Sequence, residues 1–408
     1  MKKLFSVTVL IICLASPAFS QIQMRGWGRI VWVPMFLAQD GEIKSTMQTA
    51  WGDRPDLEFM FSASSKNIGV DLGVMVAPNE LYQFGNAKVW WRPNENFKLH
   101  LGSGRVSALR GKVSASTGAY AYAWGRLSGF FPNGGKNAPV LMIGGGDGIF
   151  SRFNLTDQGA ILEFTPKFCP ALDGLYLGMA IAPQWTKDGG ILAETVYGGI
   201  HAVIGYKIKD IGHFRFGFIG GNETDGETAN ASKNPDFSYD RRIEAALALF
   251  LIPNLFVDLG FKYSLQEHPG ILAQPGFSLE NPLYMAMGLK YTGVKNLSLG
   301  FAIDGHFAGD KTFTTSYVND PVVSAPQIAF NIYPTYDFGS CDVGADFTFG
   351  MQFGDEKGVN DKKALGFGVH VQKRYAHGNI RLGIYGTAPL DEDQKWGMSI
   401  PVWITYLF

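Results

Sequence analysis

The sequence has little charge and no long apolar segment beyond its start. Asp, Glu, Lys and Arg make up 17% of the 408 residues, whereas soluble proteins carry about a quarter. After residue 20 no run approaches the roughly 18 consecutive apolar residues that a membrane helix needs. A helical membrane protein is therefore excluded, and an ordinary cytoplasmic enzyme is disfavoured. The formal net charge of −1 gives no reason to expect nucleic acid as a partner.

The first 20 residues have the pattern of a secretory signal peptide. Lys2 and Lys3 precede an apolar stretch at 4–15, and Ala-Phe-Ser at 18–20 supplies the small residues of a cleavage site. We therefore expect cleavage after residue 20, which leaves 21–408 as one domain. Loss of the two lysines takes the net charge from −1 to −3.

Cysteine is scarce, with three residues in the whole chain. Lipidation of Cys13 is disfavoured because Ile12 stands where a small residue should precede a lipidated cysteine. Cys169 and Cys341 remain in the mature chain, and an exported chain with two cysteines invites a disulfide. Both lie in predicted turns that are far apart in strand order, and a disulfide needs Cα atoms within about 7 Å. We expect two unpaired thiols.

The sequence contains no recognisable catalytic or metal-binding motif. The seven histidines lack helical metal-ligand spacing and any paired-cysteine context. No nucleophile elbow is present, and the Gly-rich stretch 144–148 lacks the strand-to-helix context of a phosphate loop. We therefore predict no enzymatic activity, no metal and no cofactor. Four histidines fall on the polar face described below, where we expect them to form wet lining: His100, His201, His306 and His370.

Apolar residues recur at every second position along the mature chain. This spacing is typical of β-strands with one apolar and one polar face. Clear examples are 297–304 (LSLGFAID), 364–371 (ALGFGVHV) and 398–408 (MSIPVWITYLF). About 18 such segments can be counted, each near the length of a tilted membrane strand. The second face is rich in Gly, Ala, Ser, Thr, His and charges. Much of the glycine, 51 residues in all, should leave room for water there.

The connections between these segments alternate in length. Short ones are centred on Gly, Pro, Asn and Asp, as turns require, and fall at 65–67, 93–96, 209–212, 253–254, 293–296, 339–342 and 376–378. Longer polar stretches lie between them, at 39–55, 107–156, 222–236, 265–281, 310–324 and 354–362. Short turns on one rim and long loops on the other are typical of outer-membrane barrels.

Aromatic residues near the strand ends fit the interfacial girdles of a membrane barrel. They are Trp32, Trp91, Trp185, Tyr206, Tyr263, Tyr291, Tyr336, Tyr375 and Tyr406. The sequence therefore predicts an all-β fold, a transmembrane antiparallel β-barrel of about 16–18 strands. The consistent alternation of short and long connections makes the strand number even and places both termini in the periplasm.

Three segments resemble bacterial outer-membrane porins: 25–33 (RGWGRIVWV), the hairpin 87–102 (AKVWWRPNENFKLHLG) and the last strand, which ends at Phe408. The hairpin is most similar to porin-like proteins of spirochaetes. The resemblance implies an outer-membrane location in contact with lipid, and a terminal strand that is read by the barrel insertion machinery. Homotrimers are common among such porins. No functional residue is transferred, because porins carry no catalytic motif.

Charged residues on the polar face are the candidate pore-lining residues. The basic set lies on the first and last strands: Arg25, Arg29, Lys88, Arg92, Lys98, Arg374 and Arg381. The middle strands are mainly acidic, with Asp240, Glu244, Asp258, Asp304 and Asp346, although Arg242, Lys262 and Lys290 are exceptions. Closing the sheet would set a basic wall against an acidic wall and create a transverse field. The alternative is that these charges are solvated and paired to their neighbours.

The longest predicted loop, 107–156, contains several aromatic residues. A structureless stretch of that length is usually functional or mobile. One interpretation is that it folds inward and narrows the pore, as porin loops do. The other is that it contains one or two further strands.

The predicted function is a porin, a passive diffusion channel for small polar solutes or ions. A hydrophobic-compound transporter or a plugged receptor would carry an N-terminal plug, and the first strand begins too near Gln21 for one. A third alternative is an adhesin or structural barrel whose contact surfaces would be the loops at 39–55, 222–236, 265–281 and 310–324. Nothing in the loop compositions separates the adhesin from the porin.

Overall fold

The computed structural model describes residues 21–37, 43–48, 56–77, 80–106, 153–181, 200–219, 242–264, 283–307, 312–315, 318–323, 327–353, 362–390 and 397–407. The predicted signal peptide lies outside these residues. No helix among them is long and apolar enough to cross a membrane. The strands are β1 (Gln21–Leu37), β2 (Ile43–Gln48), β3 (Asp56–Ser64), β4 (Ile68–Ala77), β5 (Glu80–Trp91), β6 (Phe97–Val106), β7 (Phe153–Phe164), β8 (Leu175–Ile181), β9 (Ile200–Ile208), β10 (Gly212–Ile219), β11 (Arg242–Leu249), β12 (Leu255–Ser264), β13 (Leu283–Val294), β14 (Leu297–Phe307), β15 (Thr312–Thr315), β16 (Val318–Val323), β17 (Gln327–Asp337), β18 (Asp342–Gln352), β19 (Lys362–Tyr375), β20 (Gly378–Pro389) and β21 (Gly397–Leu407).

Nineteen of these strands form one antiparallel sheet that closes on itself. β1 pairs with β21 on one side. On its other side it pairs with β3 through its first half and with β2 through its second half. β2 and β3 therefore share one strand position around the barrel. Counted in such positions, called places below, the closed circuit of strands has eighteen. The predicted β-barrel, with an even strand number between 16 and 18, is confirmed. β15 and β16 form a separate hairpin.

Eight connections lie on one rim of the barrel, called here the short-turn rim. They are 65–67, 92–96, 165–174, 209–211, 250–254, 295–296, 338–341 and 376–377. Each of the seven predicted turns corresponds to one of them within a few residues, and Gln21 and Leu407 lie on the same rim. Asp210, Asn254 and Asn296 adopt φ near +60° there, a conformation that Asp and Asn accept more readily than other side chains.

Four predicted loops on the opposite rim contain strand residues. β2 lies inside 39–55, β15 and β16 lie inside 310–324, β7 begins at Phe153, inside 107–156, and β19 begins at Lys362, the last residue of 354–362. These strands are short or adjoin long polar stretches, so alternation of apolar residues alone does not reveal them. Residues 107–152 lie outside the described part of the chain. Their folding into the pore therefore stays a prediction.

The two faces of the sheet are inverted relative to a soluble protein. Large apolar side chains on the outer face are exposed, among them Ile332, Phe347 and Val369. Polar and ionisable side chains on the inner face are buried, among them Glu58 and Glu244. An apolar exterior around a polar interior is the arrangement of a barrel that spans a membrane.

Inner-face glycines lie directly opposite aromatic rings on neighbouring strands. Gly69 is paired with Trp90, Gly300 with Tyr333, Gly344 with His370 and Gly368 with Tyr385. A Cβ atom at any of the four glycines would overlap the ring opposite. At these positions the expectation that glycine leaves room for water is wrong, because the ring of the partner strand fills the space.

Aromatic side chains surround the outside of the short-turn rim. Tyr375 donates a hydrogen bond to the Thr405 carbonyl oxygen at 3.1 Å. The rings of Tyr336 and Phe338 lie 4.7 Å apart. Such polar-tipped rings suit the boundary between lipid and water. Trp185, another predicted girdle residue, lies outside the described residues.

Cys169 and Cys341 are unpaired, as predicted. Cys169 lies in the turn between β7 and β8, and Cys341 lies in the turn between β17 and β18. Eight places of the eighteen-place circuit separate these turns, so the thiols lie on nearly opposite sides of the short-turn rim.

Candidate functional site: the inner wall of the barrel

The predicted basic residues lie on strands near the junction of β1 and β21. Lys88 is buried on the inner face, Lys98 and Arg381 are half-buried, and three others are exposed. For Arg29 the structure describes the backbone position only. The strands are β1 for Arg25 and Arg29, β5 for Lys88, β6 for Lys98, β19 for Arg374 and β20 for Arg381, and Arg92 directly follows β5.

Only part of the predicted acidic set lies across the barrel from this junction. Glu244 on β11 and Asp258 on β12 are nine and ten places from β1, and are therefore roughly opposite it. Asp346 on β18 is three places from β21, next to the basic residues of β19 and β20. Asp304 is placed by its backbone on β14, and Asp240 lies outside the described residues.

The basic side of the wall also contains acidic side chains. Asp71 on β4 accepts a hydrogen bond from the Ser62 hydroxyl at 3.0 Å, and its carboxylate lies 3.9 Å from Lys88 Nζ. The three residues face one another across β3, β4 and β5. The Lys88 charge is therefore partly offset within its own wall.

Glu163 on β7 is the centre of a second polar group. Its Oε1 lies 2.6 Å from His100 Nε2, and its Oε2 accepts a hydrogen bond from the Tyr176 hydroxyl at 2.9 Å. Lys98 stands directly across from it on β6. A buried carboxylate with two hydrogen-bonding partners and a neighbouring ammonium group is well compensated.

Trp90 projects from the inner face of β5 between two cations. Lys98 Nζ lies 4.8 Å from the centre of its ring, and Arg92 Cζ lies 6.0 Å away. Both distances are within the range of cation–π attraction. The ring itself lies across Gly69, which fixes its plane against the wall.

A third group spans β18 to β21. Asp342 lies 2.8 Å from Arg374 and accepts a hydrogen bond from Gln372 at 3.4 Å. Arg381 donates two hydrogen bonds to the same Gln372 side chain, at 3.0 and 2.8 Å. Its guanidinium group also lies 5.9 Å from the ring centre of Trp403. The polar contacts therefore join β18, β19 and β20, and the Trp403 ring adds β21.

The acidic side of the wall contains a buried arginine. Arg215 on β10 interacts electrostatically with Asp258 and Glu244. All three side chains are buried on the inner face. Both walls are therefore mixed in sign, which favours the alternative in which lumen charges are paired to their neighbours over two purely opposed walls.

The sequence pattern also marks further acidic residues as inward-facing, although the prediction does not name them. Glu58, Asp71, Glu163 and Asp342 have the same inward parity as the predicted basic residues. Arg215 likewise alternates with the outward-facing Phe214 and Phe216. Alternation shows that a side chain faces inward, but pairing depends on register between strands.

The histidines of the inner face are buried, contrary to the expectation of a wet lining. His100, His201 and His370 are between 2% and 9% exposed. The reason is local packing: His100 is held by Glu163, and the ring of His370 lies against Gly344. The side chain of His306 is not among those described. Within the described ranges, no group of three or more His, Cys, Asp or Glu is placed to hold a metal ion.

The barrel is similar in structure to known porins. The crystal structure of OccAB4 from Acinetobacter baumannii has a TM-score of 0.55 and 10% sequence identity, with 96% of this chain and 98% of that chain covered. OpdQ from Pseudomonas aeruginosa also has a TM-score of 0.55 and 10% identity, with 95% and 98% covered. A BenF-like porin from Pseudomonas fluorescens Pf-5 has a TM-score of 0.52 and 11% identity, with 96% and 99% covered.

These similarities show a porin-type β-barrel fold over nearly the whole chain. No protein-family model matches the chain, and no curated protein matches it in sequence. Because the structural neighbours come from Acinetobacter and Pseudomonas, the narrower resemblance of the 87–102 hairpin to spirochaetal proteins stays a prediction.

Proposed function

We propose that this protein is an outer-membrane porin, a passive diffusion channel for small polar solutes or ions. The observation that carries the proposal is a closed eighteen-place sheet with an exposed apolar exterior and a charged interior. A closed barrel leaves no unpaired sheet edge in lipid. Barrels of about 16–18 strands are wide enough to enclose an aqueous channel.

The composition of the inner wall supports small polar solutes over apolar ones. Charges of both signs are present on the β3–β8 side and on the β18–β21 side of the wall. Such a lining interacts favourably with ions and with zwitterions, and it gives an apolar molecule no continuous apolar surface along the channel. The proposed function involves no catalytic step.

The orientation and partners follow from the same proposal. Short turns face the periplasm in outer-membrane barrels, so the short-turn rim and both termini are placed there. The exposed outer face is in contact with outer-membrane lipid. The terminal strand, ending at Phe408, is the segment offered to the insertion machinery, and a homotrimer is the proposed assembly.

The test is reconstitution of the mature chain into planar bilayers and liposomes. We expect ohmic single-channel conductance, and swelling of liposomes in sugars, amino acids and small anions at rates that fall with solute size. The matched control is the same protein heated in detergent until the barrel unfolds, which should give neither signal. A folded barrel that neither conducts nor admits any of these solutes would contradict the proposal and favour the adhesin.

A further inference from the structure

We propose that His370 and Asp346 form a charge-selectivity determinant in the wall of the channel. The net charge of the pair is zero when the imidazole is protonated and −1 when it is neutral. Histidine is the side chain that ordinarily changes charge between about pH 5 and 8. The inference rests on the proposed channel function and deepens it, because it names a fixed charge that sets which ions pass.

His370 lies between two carboxylates of the neighbouring strand. It stands opposite Gly344, and its ring occupies the space that a Cβ there would need. The next inward residues of β18 on either side of Gly344 are Asp342 and Asp346. The imidazole is therefore positioned to interact with either carboxylate.

The two carboxylates differ in how they are compensated. Asp342 lies 2.8 Å from Arg374 and accepts a hydrogen bond from Gln372. Asp346 has a side chain that is 0% exposed, and neither of its oxygens has a hydrogen-bond partner. Its ion-pair partner within the described residues is His370, whose Nδ1 lies 3.7 Å from Oδ2. A buried carboxylate without hydrogen bonds is unfavourable unless a cation accompanies it.

The remaining groups that face the pair leave this assignment unchanged. Tyr385 on β20 covers Gly368, the residue directly opposite Asp346, and Tyr333 on β17 interacts with Asp346 electrostatically. Arg381 on β20 is held by Gln372 and the Trp403 ring. The two tyrosines supply no positive charge, and Arg381 interacts with Gln372 and with Tyr385. His370, 3.7 Å from Asp346, is the cation partner that the structure gives this carboxylate.

A second histidine–carboxylate pair provides an internal contrast. His100 and Glu163 are already within hydrogen-bond distance at 2.6 Å. Glu163 also accepts a hydrogen bond from Tyr176, and Lys98 stands across from it. Glu163 therefore has partners besides its histidine, whereas Asp346 has His370, and His100→Gln is the comparison variant.

The experiment is measurement of the reversal potential in planar bilayers under a KCl gradient at about pH 5 and pH 8. We expect the wild-type ratio of cation to anion permeability to rise about two- to fourfold between these values, the order of effect that one unit charge in the channel wall would produce. His370→Gln should reduce this rise by the share that one unit charge contributes, because the other ionisable groups of the inner wall are unchanged. Asp346→Asn should lower the ratio at both pH values, because it removes one negative charge from the pair at each. The same reduction should be seen when His370→Gln is introduced into a His100→Gln background. Equal pH dependence in wild type and His370→Gln would overturn the proposal.

A second measurement does not depend on conduction. The thermal midpoint of the detergent-solubilised barrel is compared between wild type and His370→Gln across the same pH range. The protonated imidazole stabilises the buried carboxylate, so this advantage of the wild type should be present at acidic pH and lost as the pH rises, a difference of a few degrees. In an Asp346→Asn background it should disappear. A barrel that shows this pattern without conducting refutes the channel alone, and a conducting barrel without it refutes the pair alone.

Discussion

A ring packed across a glycine is the recurrent contact of the inner wall. Gly368 and Tyr385 are directly paired across β19 and β20, and the Tyr385 side chain is 2% exposed. Tyr385 also makes an edge-to-face contact with Trp403 at 5.5 Å. The ring therefore has little freedom to move away from a new atom at position 368.

Gly368→Ala should destabilise the barrel by about 1–3 kcal/mol, because the added methyl group is forced into the Tyr385 ring. An ordinary glycine-to-alanine change within a strand is instead favourable by roughly 0.5–1 kcal/mol. The measurement is the unfolding midpoint in denaturant after refolding into vesicles. In a Tyr385→Ala background the same change should cost little. An equal loss in both backgrounds would show that the glycine is needed for its backbone and not for the ring.

At the residue scale the sequence predicts the side of the sheet but not the partner. Alternation places Lys88 and Arg381 on the inner face, as the structure does. It cannot show that Lys88 meets Asp71 or that Arg381 meets Gln372, because those contacts depend on how adjacent strands are aligned. Burial of His100 and His370 is missed for the same reason.

The turns are the elements that the sequence predicts best. Gly, Pro, Asn and Asp mark them directly, and Asn254 and Asn296 occupy the positive-φ positions that such residues favour. β2 is harder to predict. It is six residues long and pairs with the part of β1 that follows the stretch paired with β3. Its presence therefore depends on the unusual length of β1 and not on its own pattern.

The native cysteines can report which side the short-turn rim faces. Cys169 and Cys341 are both partly exposed in turns of this rim. With the rim in the periplasm, a membrane-impermeant maleimide should leave intact cells unlabelled and should label both thiols once the outer membrane is permeabilised. The readout is the mass of the purified protein.

The matched control is Leu390→Cys in a chain with both native cysteines changed to Ser. Leu390 is exposed directly after β20, at the opposite rim, and the new thiol should be labelled in intact cells. Labelling of the native cysteines in intact cells together with protection of position 390 would show the reverse orientation.

At the scale of the whole molecule, closure is the property that one sequence predicts only indirectly. Counting alternating segments gives the strand number, and the phase of the connections makes it even. The pairing of β1 with β21 over Trp27–Leu37 joins the first and the last of the described strands. The alternation of residues within each strand does not predict that contact. The structure shows the register of β1 with β21 and the position that β2 and β3 share on the other side of β1.

The inverted distribution of polar and apolar residues predicts opposite outcomes for one substitution on the two faces. Val369 is mid-strand on β19, outward-facing and 54% exposed. Val369→Lys places an ammonium group in lipid and should cost about 2–4 kcal/mol near the bilayer midplane. Met60 is inward-facing on β3 and 39% exposed, and a lysine there shares its face with Glu58. Position 60 is also paired with Arg25, so Met60→Lys should cost less than about 1 kcal/mol. Unfolding free energies in lipid vesicles separate the two variants. A soluble barrel with a hydrated exterior would tolerate Val369→Lys, so equal stability of the two variants would contradict a membrane-spanning wall.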